Sequence, residues 1–230
     1  MNKLLLTAVL CWIQAASWAA PTTTLDFEGP FPLGLAAATS YGNGTPITEA
    51  NLIGSHFLSQ GVLAEGAVLV DLGYGHAASG RYGLSGTSVG QDAVDYASGY
   101  SFEFFTQIDS SVRAQTDYFS IAPDRGGSSF NSITLSAFDY EGKFVGSRSW
   151  IENVSYLGIL ELDGIGMFHK VVVDPIAQNP YYGGMAMDLV SFGTLVAEIP
   201  EPESIALFGL ALAGLGLTRR KAKQAVLSAP

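Results

Sequence analysis

The sequence predicts an all-β protein: one two-sheet antiparallel sandwich of jelly-roll type, set between two targeting segments. Three observations carry this. Glycine, phenylalanine and tyrosine are plentiful (27, 13 and 10 of 230 residues) while only 14% of residues are charged, a balance suited to short strands and tight turns. Apolar runs of strand length stop repeatedly at Gly, Pro, Asn or Asp. No interior stretch has the spacing of an amphipathic helix, and no internal repeat is visible.

Residues 1–19 read as a signal peptide. Met1-Asn2-Lys3 is basic, Leu4 to Ile13 is apolar, and Ser17 and Ala19 are small at the two positions a signal peptidase reads, so cleavage is expected after Ala19. Cys11, the single cysteine, lies in the apolar part. The mature chain therefore has no disulfide and must be held by packing or bound ions.

Residues 20–197 form the predicted sandwich. Thr22 to Glu28 alternates and stops at Gly29-Pro30, a first strand. Residues 30–50, with three prolines and Gly42-Asn43-Gly44, read as a long loop. Asn51 to Leu58 and Gly61 to Leu72 read as strands, and the glycine- and serine-rich 73–90 as irregular. Strands follow at Tyr100 to Phe105 and Asp117 to Ala122. The clearest pair is Ser132 to Asp139 and Lys143 to Ser149 around the turn Tyr140-Glu141-Gly142. Leu157 to Leu162, Gly166 to Val173 and Met185 to Val196 complete nine or ten strands, with turns between them. This interval holds six basic and eighteen acidic residues. Such a balance excludes nucleic-acid binding by charge and leaves carboxylates for a hard cation.

Residues 198–230 change character. Ile199-Pro200-Glu201-Pro202 cannot continue a strand or helix, because two prolines fix φ and remove backbone donors. Ser204 to Leu217 carries no charge, and Arg219-Arg220-Lys221, with Lys223 beyond, follows as a basic stop. Fourteen helical residues span about 21 Å, short of a hydrocarbon core of roughly 30 Å, so by length a buried core helix is the competing reading. Apolarity on every face and the basic flank favour a short membrane anchor over 204–217.

In this order of parts, Pro200-Glu201-Pro202, an apolar segment and then Arg219-Arg220-Lys221, the tail resembles the PEP-CTERM sorting signal of Gram-negative bacteria. The resemblance implies recognition by exosortase, a membrane cysteine protease that cleaves near Pro-Glu-Pro. It implies an exported chain, anchored in the inner membrane in transit and then placed at the cell surface or in the extracellular matrix. The continuation Ala222 to Pro230 departs from that pattern. In the middle, Ile133 to Gly146, Gly184 to Phe192 and Leu25 to Glu28 are similar to strands of lectin-like bacterial sandwich domains. Of the aspartate pair those domains often carry on the closing strand, only Asp188 is present here, after Met187.

Candidate chemistry is sparse. Asp26 and Glu28 are two apart and share a face if the strand is regular. Facing solvent they need no partner; facing inward they need a cation, with Asp188 as third ligand if first and last strands meet. These three residues are the candidate sites for structural calcium. Tyr74, Tyr82, Tyr181 and Tyr182 lie in polar stretches, where they either stack on sugar rings or cover the ends of the sandwich. Gly86-Thr-Ser88-Val-Gly90 matches a nucleophile elbow by letter, without a readable strand before and helix after. Gly73-Tyr-Gly75 reads as a turn. His56, His76 and His169 have no metal-ligand spacing. The expectation is a non-catalytic carbohydrate- or matrix-binding module. A secreted polysaccharide hydrolase and a purely structural matrix protein are the alternatives. Signal peptidase and exosortase are the expected processing partners.

Overall fold

In the computed structural model the described residues are 22–39, 46–73, 77–86, 98–123, 131–151, 158–177 and 186–198. The strands are β1 (Thr23–Leu25), β2 (Ala38–Thr39), β3 (Leu52–Gly54), β4 (Val62–Asp71), β5 (Tyr82–Gly86), β6 (Tyr100–Phe104), β7 (Ala114–Pro123), β8 (Asn131–Phe138), β9 (Phe144–Ile151), β10 (Leu160–Phe168), β11 (Lys170–Ala177), β12 (Met187–Phe192) and β13 (Val196–Ala197). Two 3-10 turns, Glu49–Asn51 and Leu58–Gln60, are the only helical pieces among the described residues. The chain divides into two units, Met1–Ala197 and Glu198–Pro230.

The all-β expectation holds; the division into two sheets does not appear in the hydrogen bonding. One sheet runs β10-β7-β12-β5-β4-β6-β11-β8-β9. Its continuity depends on β4, which pairs with β6 through residues 62–65 and with β5 through residues 67–71. Between these halves Gly66 has φ of 74°, a left-handed conformation that side chains resist. The sheet thereby curls almost into a barrel, and its end strands β9 and β10 come together. They close by side-chain packing: a Cβ added at Gly146 of β9 would stand 3.2 Å from Cβ of Ile165 of β10.

Alternation explains the inner face. In β8 Ile133, Leu135 and Ala137 are buried while Ser132, Thr134 and Ser136 are not, as period-two geometry requires. Aromatic rings fill the centre. Phe104 of β6 stands 6.2 Å from Phe119 of β7, 6.2 Å from Phe168 of β10 and 5.6 Å from Phe192 of β12, centroid to centroid. These four side chains are fully buried. They bind strands that are distant in the sheet order, β6 on one side and β10, β7 and β12 on the other, into one core.

Three of the differences from expectation shape the sheet. The stretch read as irregular contains β5, a central strand. It is a strand because Gly83 lets Met187 of β12 approach: a Cβ there would lie 2.8 Å from the Met187 carbonyl oxygen. The second predicted strand is cut short after Gly54 by the turn leading to Leu58–Gln60. The break expected at 163–165 falls inside β10, where Gly164 and Gly166 adopt positive φ and the register to β7 shifts. That is a bulge rather than a chain reversal.

Candidate functional site

Two places bring chemistry together. The first lies where the chain's first and last long strands meet. β1 pairs with β12, with Leu25 opposite Val190, so the condition set for Asp188 joining Asp26 and Glu28 is met. The strand ends at Leu25, and Phe27 has a left-handed φ of 56°. Leu25 and Phe27 both enter the core, Asp26 stays exposed and Glu28 is half-buried.

Glu28 reaches over the bend 77–81. Its Oε1 accepts the N–H of Arg81 at 2.7 Å and of Tyr82 at 2.9 Å. Gly80 makes room, since a Cβ there would lie 2.7 Å from the Glu28 carboxyl carbon. From the other side Asp188 accepts the N–H of Ser79 at 2.5 Å and of Leu189 at 2.7 Å. Leu189, like Phe27, has positive φ, 49°. Asp188 is fully buried. Burial, with the charge of Glu28 adding to it, raises its carboxyl above the ordinary value, against the lowering by the Ser79 and Leu189 amides. Asp26 takes part differently: its carboxylate accepts its own Glu28 N–H at 3.2 Å, and its carbonyl oxygen accepts the Ser79 hydroxyl at 2.9 Å. Among the described residues no three Asp, Glu, His or Cys side chains form a metal cage. Two carboxylates and main-chain oxygens are what this junction offers. Beside it Arg81 pairs with Asp71 through both oxygens, holding that carboxyl below its ordinary value.

The second place is an open cleft of about 480 Å³ on the face formed by β6, β11 and the β8–β9 hairpin. Its floor is a cross-strand pair: Lys170 faces Glu103 in register, with Nζ 2.8 Å from Oε1. Partial burial pulls the Lys170 ammonium down, but the hydrogen bond and charge of Glu103, with Glu65 beyond, outweigh it and hold it above its usual value. His169, buried, closes the inner end. Its Nδ1 donates to the Ala114 carbonyl oxygen at 2.9 Å, because a carbonyl can only accept. Nε2 then faces Glu103 Oε2 at 4.0 Å.

The wall of the cleft is the hairpin turn. Asp139 Oδ1 accepts the N–H groups of Glu141 and Lys143 at 3.0 and 2.9 Å, and Gly142 takes φ of 77°. That geometry sets Tyr140 with its ring centroid 5.0 Å from that of His169 and the Arg113 guanidinium carbon 5.4 Å from the Tyr140 centroid. Glu141 is exposed at the rim.

The structure thus joins Glu28 and Asp188, and it leaves the Asp26 side chain in solvent. Tyr82 is half-buried, edge-on to Phe31 at 4.9 Å and under Arg81, so its ring is shared with these neighbours. Ala19, Tyr74, His76, Ser88, Tyr181, Tyr182, Pro200, Glu201, Pro202, Arg219 and Arg220 lie outside the described residues. A strand, β5, does precede the Gly86-to-Gly90 stretch. The cleft residues Glu103, Arg113, Tyr140, His169 and Lys170 were not anticipated. The only hint of them was the Tyr140-Glu141-Gly142 turn, since the Glu103–Lys170 pairing joins residues 67 positions apart.

The second unit carries, in fixed order, Pro200-Glu201-Pro202, an uncharged run and then Arg219-Arg220. Residues 198–221 match the PEP-CTERM protein-sorting motif. The PEP-CTERM motif implies processing by exosortase and so an exported chain. No curated protein matches this one. Among solved structures, a DUF4465 family protein from Bacteroides caccae is similar at 11% identity, covering 79% of this chain and 95% of its own, with a TM-score of 0.37. A GH31 CBM32-2 structure bound to GalNAc is similar at 10% identity, 77% and 99% coverage and TM-score 0.32. The C-terminal domain of a chitobiase from Bacteroides fragilis follows at 14%, 43% and 66%, with TM-score 0.28. At these TM-scores no ligand or activity carries over to this chain.

Proposed function

We propose that the chain is an exported protein, sorted by an exosortase-type system, whose β domain binds carbohydrate at the cell surface or in the extracellular matrix without catalysing a reaction. The observation that carries the sorting part is the PEP-CTERM match over 198–221. In this reading signal peptidase cuts after Ala19. The run 204–217 then enters the inner membrane, and 219–223 stays on the cytoplasmic side.

The cleft supports the binding part. An arginine, a lysine and carboxylates around one open cleft offer hydrogen-bond donors and acceptors to sugar hydroxyls. Non-catalysis rests on how its carboxylates are used. A glycoside hydrolase needs two carboxyl groups poised across the bond it breaks. Here Asp139 is spent on its own turn and Glu103 on Lys170, so Glu141 at the rim has no second poised carboxyl opposite it among the described residues of the cleft. The test is a glycan array probed with the mature chain, with Arg113→Ala and Glu141→Ala alongside. Each variant should bind about tenfold more weakly, the worth of one charged hydrogen bond. A chain that binds no glycan, or that shortens one, overturns this reading.

Glu28 and Asp188, with main-chain oxygens of the junction, would hold calcium, a cation that takes oxygen ligands only. The sign of the pH effect follows from the raised carboxyl of Asp188. Its neutral form is favoured by folding, so its contribution to stability is present at low pH and lost as pH rises through its folded value. Calcium should cancel that loss. The expected result is a melting temperature at neutral pH that falls on chelation and recovers with calcium; an unchanged value removes the ion from the account.

A further inference from the structure

We propose that, before the tail is cut, the end of the β domain from which the tail leaves rests on the lipid surface, with Leu33, Ile108 and Val196 as its apolar contacts. This builds on the reading that 204–217 enters the membrane. Leu33 and Ile108 are 100% exposed and Val196 50%. Single exposed apolar residues are ordinary on any protein. The chain segments that carry these three lie side by side.

Val196 lies in β13, which pairs with Gln115 and Ala114 at the start of β7. The segment leading into β7 carries Ile108. The two meet at Gly61, where an added Cβ would lie 2.2 Å from Leu195 Cδ1 and 2.8 Å from the Phe105 carbonyl oxygen. Gln107 then donates from Nε2 to the Gln60 carbonyl oxygen at 3.2 Å. Gln60 in turn shares a cavity of about 180 Å³ with Pro32, the neighbour of Leu33. Three chain segments therefore gather around Gln60-Gly61, each offering a side chain that water does not favour. The acidic group on the Ile108 segment, Asp109, is exposed, and its Oδ1 accepts the Ser111 N–H at 2.9 Å and hydroxyl at 2.6 Å.

Chain length names lipid as the occupant. The last bridge of the domain is at Ala197 and the uncharged run starts at Ser204. The six residues between reach at most about 20 Å when fully extended. With the run in hydrocarbon, this end is tethered within reach of the headgroup layer, into which apolar side chains of surface-bound segments sink by about 5–10 Å.

The test places Ile108→Trp, and separately Leu33→Trp, in the mature chain with its tail. Each is reconstituted into vesicles of phosphatidylethanolamine with some phosphatidylglycerol. Trp150 is the only tryptophan beyond residue 19 and sets the background. Both substituted positions are wholly exposed, so folding is spared. A blue-shifted emission, lost on brominated acyl chains beyond the loss seen for the parent, is the expected result. Retention in the vesicles through alkaline extraction with no added quenching overturns this inference alone. Release by alkaline extraction overturns the anchoring reading and this one with it. A shift that tracks protein concentration without lipid assigns the patch to a second copy and also overturns it.

Discussion

A chain carrying Pro200→Ala, Glu201→Ala and Pro202→Ala together is expected to stay uncleaved and membrane-held. The reason is local backbone physics. Each proline fixes its own φ near −65° and disfavours the helical region for the residue before it, a bias that the sequence places on Ile199 and Glu201. Proteases read extended backbone, and alanine, the best helix former, removes that bias. The last bridge of the β domain, at Ala197, comes before these residues. The variant should therefore fold and export normally while the released form disappears. Immunoblots of membrane and external fractions, with the mass of each form, measure this. Mature-sized protein outside the cell at the normal level would falsify the sorting account.

Phe104→Ala should cost about 3–5 kcal/mol, the usual range for deleting a fully buried phenylalanine. Against a typical total of about 5–15 kcal/mol this is a large fraction. The ring is fully buried and meets Phe119, Phe168 and Phe192 from β7, β10 and β12. The surrounding strands are hydrogen-bonded into one curled sheet and have little freedom to collapse into the gap. A urea titration of the parent and variant gives the difference from the two midpoints. A change below about 1 kcal/mol, where exposed sites fall, would show that the core lies elsewhere.

Some elements were legible because local chemistry alone makes them. The β8–β9 hairpin is one: alternating residues flank a turn whose Asp139 side chain caps its own backbone, and Gly142 supplies the left-handed position. β4 is another, a ten-residue run beginning at Val62 after the left-handed Gly61. β5 was not legible. Tyr82-Gly-Leu-Ser-Gly86 has the composition of a loop, and it becomes a strand because β4 and β12 stand on either side of it. The bulge in β10 was misread for the same reason, as its glycines answer to the Ile165–Gly146 seam rather than to a turn.

For the sites the division is similar. Asp26, Glu28 and Asp188 could be named from their spacing and from the guess that first and last strands pair. Which of them turn inward could not, because that depends on Phe27 and Leu189 adopting positive φ. The cleft was invisible, since Glu103, Lys170 and His169 acquire meaning only when β6 lies beside β11.

What the sequence determined by itself is the class of the domain and the address on the tail. Both are written in contiguous residues whose effects, alternation, proline restriction and absence of charge, act over a few positions. The closing of the sheet, the inward turn of Asp188 and the gathering of charged and aromatic groups around His169 were decided only in the folded molecule. Those outcomes depend on which distant strands become neighbours, and pairing is chosen by burial of the whole core rather than by any one segment.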